Sequence, residues 1–154
     1  IASCLVGSEM CIRDRLYIVA SPDYLEQAGI PQTPQSLLQH QLVGFSKPVY
    51  LNTWPLKIGD DYVIVSPKIK ASSGETVRQL TLAGHGIARL SEYEIWQDLE
   101  AGRLVALFED QIELQYQHIH AVYYQQKHLP KRVRLFIEFL ADELSQQFST
   151  AVAS

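Results

Sequence analysis

The run Lys70 to Leu90 constrains the fold more than any other stretch of the chain. It reads as strand end, polar turn, helix, glycine turn and strand, which commits this part of the chain to an α/β arrangement. In Ala71-Ser72-Ser73-Gly74-Glu75-Thr76, Ser72 and Glu75 have the spacing of a capping box, where a serine oxygen and a glutamate carboxylate each satisfy a helix-end amide. The amides left over, with the positive end of the helix dipole, make the Ser73-Gly74 edge a receptor for a carboxylate or another small anion. An ordinary capped helix has the same spacing. The ligand reading gains weight from position, because ligands in open α/β sheets gather at the carboxyl ends of strands, where this turn falls. Beyond the helix, Gly84 and Gly86 bracket a solvent-facing His85 and give the chain a left-handed exit into the buried strand Gly86 to Leu90.

Upstream, Leu16 to Ala20 is a short β-type run, followed at once by the cap Ser21 and a helix whose first position is Pro22. Gly29 ends that helix, Pro31 prevents its return, and Thr33-Pro34 opens a short helix through His40. Leu42 to Phe45, Asn52 to Ile58, Tyr62 to Val65 and Pro67 to Ala71 read as four strands, with a hairpin at Asp60-Asp61. Pro55 removes a ladder donor, so its strand belongs at an edge, and Trp54 beside it reads as core packing. Downstream, Ser91 and Glu94 form a second capping box for a helix to Leu99, Gly102 closes it, and Arg103 to Phe108 is another strand. The succession strand, helix, strand, helix, strand predicts parallel pairing with right-handed crossovers.

Glu109 to Gln117 is a polar linker and His118 to Tyr124 a strand. From Pro130, the positions Val133, Phe136, Ile137, Leu140 and Leu144 trace the stripe of an amphipathic helix. Lys131, Arg132 and Arg134 lie at its positive end and Asp142 and Glu143 toward its negative end. Each such charge opposes the dipole by ~0.3–1 kcal/mol, so burial of the stripe must hold the helix.

Composition narrows the class. With 154 residues, 47% hydrophobic and 19% charged, the chain is expected to form one folded, soluble unit. A net charge of -4 argues against DNA or anionic membrane being held by this chain itself, since such binding rests on clustered lysine and arginine. No apolar run approaches the roughly 20 residues that span a bilayer. Cys4 and Cys11 have no later cysteine to pair with, which leaves the redox compartment open. Residues 1–15 follow neither period; Cys4 to Asp14 resembles translated adapter read-through, and a signal peptide is excluded by the lack of a continuous apolar core.

The chemistry of common enzymes is missing from the pattern. Ala71-Ser72-Ser73-Gly74 is not a Gly-x-Ser-x-Gly elbow, and neither a phosphate loop nor a Gly-x-Gly-x-x-Gly occurs. His118 and His120 alternate onto one strand face, and Glu113 could join them, but two imidazoles without a third fixed ligand make a weak metal signal. No catalytic residue, metal or cofactor is expected.

Six stretches, in this order, carry a resemblance. They are Ala20-Ser21-Pro22-Asp23-Tyr24-Leu25; Asn52-Thr53-Trp54; Ala71 to Thr76 with Leu82 to Leu90; Ala101-Gly102-Arg103-Leu104-Val105; His120-Ala121-Val122-Tyr123-Tyr124; and Arg134 to Leu140. From about Leu16 to Phe148 the chain resembles the C-terminal effector-binding domain of the bacterial LysR-type transcriptional regulators. The resemblance implies a type 2 periplasmic-binding-protein-like α/β fold, two subdomains joined by crossover strands, with a small effector in the cleft between them. It also implies a division of the chain. Residues 1–15 would be a non-native or disordered leader, and 16–124 an essentially complete second subdomain with the crossover strands. Residues 125–148 would be linker and C-terminal helix of a first subdomain that is mostly missing, and 149–154 a disordered tail. Ser72, Ser73 and Gly74 match the second-subdomain side of the cleft, with Phe45, Ser46 and Tyr123 near neighbouring strand ends. The implied protein is a cytoplasmic sensor of a small anionic metabolite. It would be a dimer or tetramer when full-length, without membrane contact, and would touch DNA only through an N-terminal winged helix-turn-helix. A solute-binding protein of the same fold serving transport is the alternative, and an α/β enzyme the third.

Overall fold

The computed structural model describes residues 12–113, 116–119 and 130–148. By compactness the chain divides into a larger unit, Arg15–Gln115, and a smaller one made of Ile1–Asp14 and Tyr116–Ser154.

Strand β1 (Ile12–Ala20), most of which belongs to the larger unit, begins ahead of the apolar run Leu16 to Ala20, with Asp14 buried. Helix α1 (Pro22–Ala28) is capped by Ser21, whose Oγ accepts from Tyr24 N–H at 3.4 Å, and ends at Gly29 with φ 82°. Helix α2 (Pro34–Leu37) starts in a capping box between Thr33 and Ser36 and stops short of the expected His40. Strand β2 (Val43–Phe45), a 3₁₀ turn at Val49–Asn52, and the hairpin strands β3 (Thr53–Ile58) and β4 (Asp61–Ile64) follow. Then come β5 (Ile69–Ala71), α3 (Gly74–Leu82), β6 (Ala88–Ser91), α4 (Glu92–Glu100) and β7 (Val105–Leu107).

Strand directions differ from a simple parallel succession in one respect. β2 and β5 pair parallel, and a parallel bridge from Leu42 to Ile87 ties β2 to the start of β6. β6 and β7 each pair antiparallel with β1 and therefore run in the same direction as one another. The strand, helix, strand succession thus has the expected parallel sense, but the pairs it links are not direct neighbours. β2 lies between β5 and β6, and the antiparallel β1 lies between β6 and β7.

Side chains of β1 alternate between two cores, as a strand covered on both faces requires. Ile18 and Ala20 join Tyr24, Leu25, Leu37, Trp54, Leu56, Val63 and Ile87 on the side of α1, α2 and the hairpin. Tyr17 and Val19 join Val43, Val77, Ala88, Leu90 and Ile95 on the side of α3 and α4. Trp54 is 1% exposed, a core residue as its apolar bulk dictates. Pro55 sits in a strand paired with β4, and the register shifts between Trp54 and Lys57 where the proline lacks a donor.

The smaller unit holds β8 (Tyr116–Ile119) and α5 (Lys131–Phe148), the helix that the three- and four-residue stripe predicts. Among the described residues no helix is long and apolar enough to cross a membrane.

Candidate functional site

The parallel strands β2, β5 and β6 end on the same side of the larger unit, and their carboxyl ends deliver most of the residues that the sequence singles out. Phe45 and Ala71 are register partners at the last positions of β2 and β5. One residue further, Ser46 N–H donates to Ala71 O at 2.8 Å and its hydroxyl to the same oxygen at 3.2 Å, which pins Ser46 beside Ser72. Buried Asn52 steadies this end of β2 from the other side. Its Oδ1 accepts from Phe45 N–H at 2.9 Å and its Nδ2 donates to Phe45 O at 2.8 Å.

Helix α3 starts one residue later than the Ser72/Glu75 capping box requires, and that box does not form. Ser73 is the N-cap, with extended backbone at φ -133° and ψ 150°; its Oγ accepts from Thr76 N–H at 3.3 Å and lies 2.9 Å from Thr76 Oγ1. Glu75 instead turns along the helix to Gln79 Nε2 at 2.8 Å and Arg78 Nη1 at 3.1 Å. Those hydrogen bonds, Gln79 first, hold its carboxyl below the ordinary range. The second box fails as well. Ser91 is the N-cap of α4, but its hydroxyl makes no capping hydrogen bond.

Glu94 lies against the start of α3. A Cβ added to Gly74 would overlap Glu94 Oε1 and come within 2.6 Å of its Cδ, so glycine at the first helical position is what admits the carboxylate. Arg89, on β6, is 8% exposed, and its Nε has no hydrogen-bond partner among the described residues. Burial pulls the Arg89 guanidinium below its ordinary pKa, while the charges of Glu94 and Tyr50 push it back up. Neither Arg89 nor Glu94 stands out in the sequence as a site residue: Glu94 has the spacing of a local cap, and Arg89 falls inside the strand Gly86 to Leu90.

Of the six site residues expected, five come together here. Ser46, Ser72 and Ser73 are exposed, while Phe45 and Gly74 are half-buried. Tyr123 lies outside the described residues. Hydroxyls and a helix N-terminus together suit a small polar ligand with a negative group. No group of three or more metal-ligating side chains gathers among the described residues.

Comparison with known proteins identifies the family and the fold. Residues 4–145 match the family described as the LysR substrate binding domain. The HTH-type transcriptional regulator CrgA of Neisseria meningitidis is 42% identical over 132 residues, covering 84% of this chain and 44% of that protein. The HTH-type transcriptional activator TtdR of Escherichia coli is 31% identical over 137 residues, covering 87% of this chain and 44% of its own. The chain therefore spans less than half the length of these relatives. The solved regulatory domain of CrgA superposes with a TM-score of 0.82 at 36% identity, over 94% of this chain and 68% of that one. The fold is accordingly the type 2 periplasmic-binding-protein-like α/β fold of LysR regulatory domains, and the chain belongs to the LysR substrate-binding domain family.

Proposed function

We propose that the chain is the effector-sensing part of a DNA-binding transcriptional regulator and that it binds a small anionic metabolite at Ser72, Ser73 and Gly74, with Phe45, Ser46 and Tyr123 as neighbours. The observation that carries this is the meeting of Ser46, Ser73 and Gly74 at the carboxyl ends of parallel strands, where the first turn of α3 supplies positive potential. In the full-length protein this face would form one wall of a cleft between two subdomains. Ligand binding would change their closure, and a winged helix-turn-helix would read the operator as part of a cytoplasmic homo-oligomer. On this reading residues 16–124 serve as the second subdomain and 125–148 as linker and closing helix of the first. Regulation is favoured over transport or catalysis because the similar proteins CrgA and TtdR are transcriptional regulators.

Ser73→Ala in the full-length regulator tests the site. Loss of one hydrogen bond to a charged ligand weakens it by ~1.5–3 kcal/mol, which moves a reporter dose-response curve about tenfold or more while operator binding stays intact. Ser73→Asp keeps a capping oxygen but sets a negative charge at the same place, and should abolish the response to an anion. An unchanged dose-response in both variants removes Ser73 from the site.

A further inference from the structure

Strands β2 and β6 part before they end. Ile87 N–H donates to Gln41 O and Val43 N–H to Ile87 O, both at 2.9 Å, as a parallel pair requires. The next bond of that ladder would run from Phe45 N–H to the carbonyl of Arg89. Phe45 N–H donates instead to Asn52 Oδ1 at 2.9 Å, and Phe45 O accepts from Asn52 Nδ2 at 2.8 Å. The Asn52 amide thus takes the edge of β2 that faces β6, and the two parallel strands open a gap at their carboxyl ends, where ligands settle in α/β sheets.

Register puts Arg89 at this gap. It pairs with Ile18 and lies two residues beyond Ile87, so its side chain stands on the sheet face of Ile18, Leu42 and Ile87, opposite α3 and α4. Gly44, two residues after Leu42, belongs to the same face. A Cβ on it would come within 2.6 Å of Asn52 Oδ1, which sets the Asn52 amide on that face as well. Both polar side chains are buried, Asn52 at 5% and Arg89 at 8% exposure. Arg89 enters none of the ion pairs among the described residues, and its Nε has no hydrogen-bond partner there. Asn52 Nδ2 carries two hydrogens and gives one to Phe45. A buried guanidinium without an anion is unfavourable, and its planar fork matches the two oxygens of a carboxylate.

We propose that the gap between β2 and β6 is a carboxylate subsite, in which the Arg89 fork takes both oxygens of a small-molecule carboxylate and the second Nδ2 hydrogen of Asn52 orients it. This rests on the reading of these strand ends as the effector face and deepens it: the ligand's charge is met by Arg89, on the face of α1 and the hairpin, and the Ser73 end of α3 serves another group of the same ligand.

The whole chain, in wild-type, Arg89→Met and Ser73→Ala forms, is titrated with sodium acetate against sodium chloride at matched ionic strength, following the Arg89 Nε–H resonance and the backbone amides of Phe45 and Gly74. In wild-type, acetate should shift Arg89 Nε–H and the Phe45 amide saturably. Arg89→Met keeps the apolar stem and should weaken acetate binding about tenfold or more, the loss of a charge-assisted hydrogen bond. Without acetate it should melt no lower than wild-type, since it removes a buried charge that has no partner. A variant that melts well below wild-type would mean that the chain itself satisfies the guanidinium, which overturns the proposal. Acetate binding retained in Arg89→Met and lost in Ser73→Ala moves the carboxylate to the end of α3, overturning the Arg89 subsite while the effector face stands. Acetate that shifts none of the three resonances beyond the chloride control overturns both.

Discussion

Asp98 shows how one residue can be stabilised by partners far away in the chain. Its carboxylate is fully buried and accepts from Arg78 Nε at 2.5 Å and from Arg103 Nε at 2.7 Å, joining α3, α4 and the turn after α4. Burial pushes the Asp98 carboxyl up, but the hydrogen bonds from Arg78 and then Arg103 outweigh it and hold the group below its ordinary value. The unfolded chain therefore takes up a proton here more readily than the folded one. The contribution to stability is fully present above the ordinary Asp value of about 4, and it is lost as the pH falls through the lower folded value. Asp98→Asn should lower unfolding free energy at neutral pH by ~3 kcal/mol, because the buried acceptor that Arg78 and Arg103 share loses its charge. The difference from wild-type should shrink in strong acid, which urea titrations at neutral pH and below about pH 4 would show. A difference independent of pH would mean that packing, not charge, dominates at this position. Neither arginine could be assigned to Asp98 by sequence spacing, since Arg78 lies 20 residues away and on another helix.

At the scale of elements, local chemistry was the most legible. Ser21 with Pro22, Thr33 with Pro34, Gly29 and Gly102 mark helix ends as their side chains or their freedom at positive φ require. The two serine-glutamate boxes failed for a shared reason. Glu75 and Glu94 have partners outside the helix end that the spacing assigned them, with Arg78 and Gln79 engaging the first and the Gly74 backbone admitting the second. Gly86 joins the local and the tertiary arguments. It has φ 148°, and a Cβ there would overlap the carbonyl oxygen of Gln41, which accepts from Ile87 N–H at 2.9 Å. Gly86→Ala should therefore destabilise the chain by about 2 kcal/mol or more, through backbone strain and loss of the β2–β6 junction. Gly29→Ala meets open space and carries only the strain of its angle, so about 1 kcal/mol is expected. Denaturant midpoints for the two variants, compared at equal slope, check the order; equal losses would show that the contact with Gln41 contributes nothing.

At the scale of the whole molecule, the exposed apolar side chains of α5 have the largest consequence for behaviour in solution. Leu135, Phe136 and Phe139 are 53%, 59% and 58% exposed, an apolar patch of the kind that drives association. Concentration-dependent self-association is expected, and replacing both Phe136 and Phe139 by Glu should suppress it without altering the larger unit. Light scattering coupled to size exclusion decides the matter, since a wild-type chain that stays monomeric at every concentration would show that the patch is not adhesive. The sequence by itself determined the α/β class, the hairpin and most helix ends, because each follows from propensity, capping or period within a few neighbouring residues. Only the tertiary structure decided that antiparallel β1 separates β6 from β7, that Ser73 caps α3, that Asp98 gathers two arginines, and that Glu94 lies against Gly74. Those facts depend on contacts between elements distant in the chain, where burial and charge pairing override what local spacing predicts.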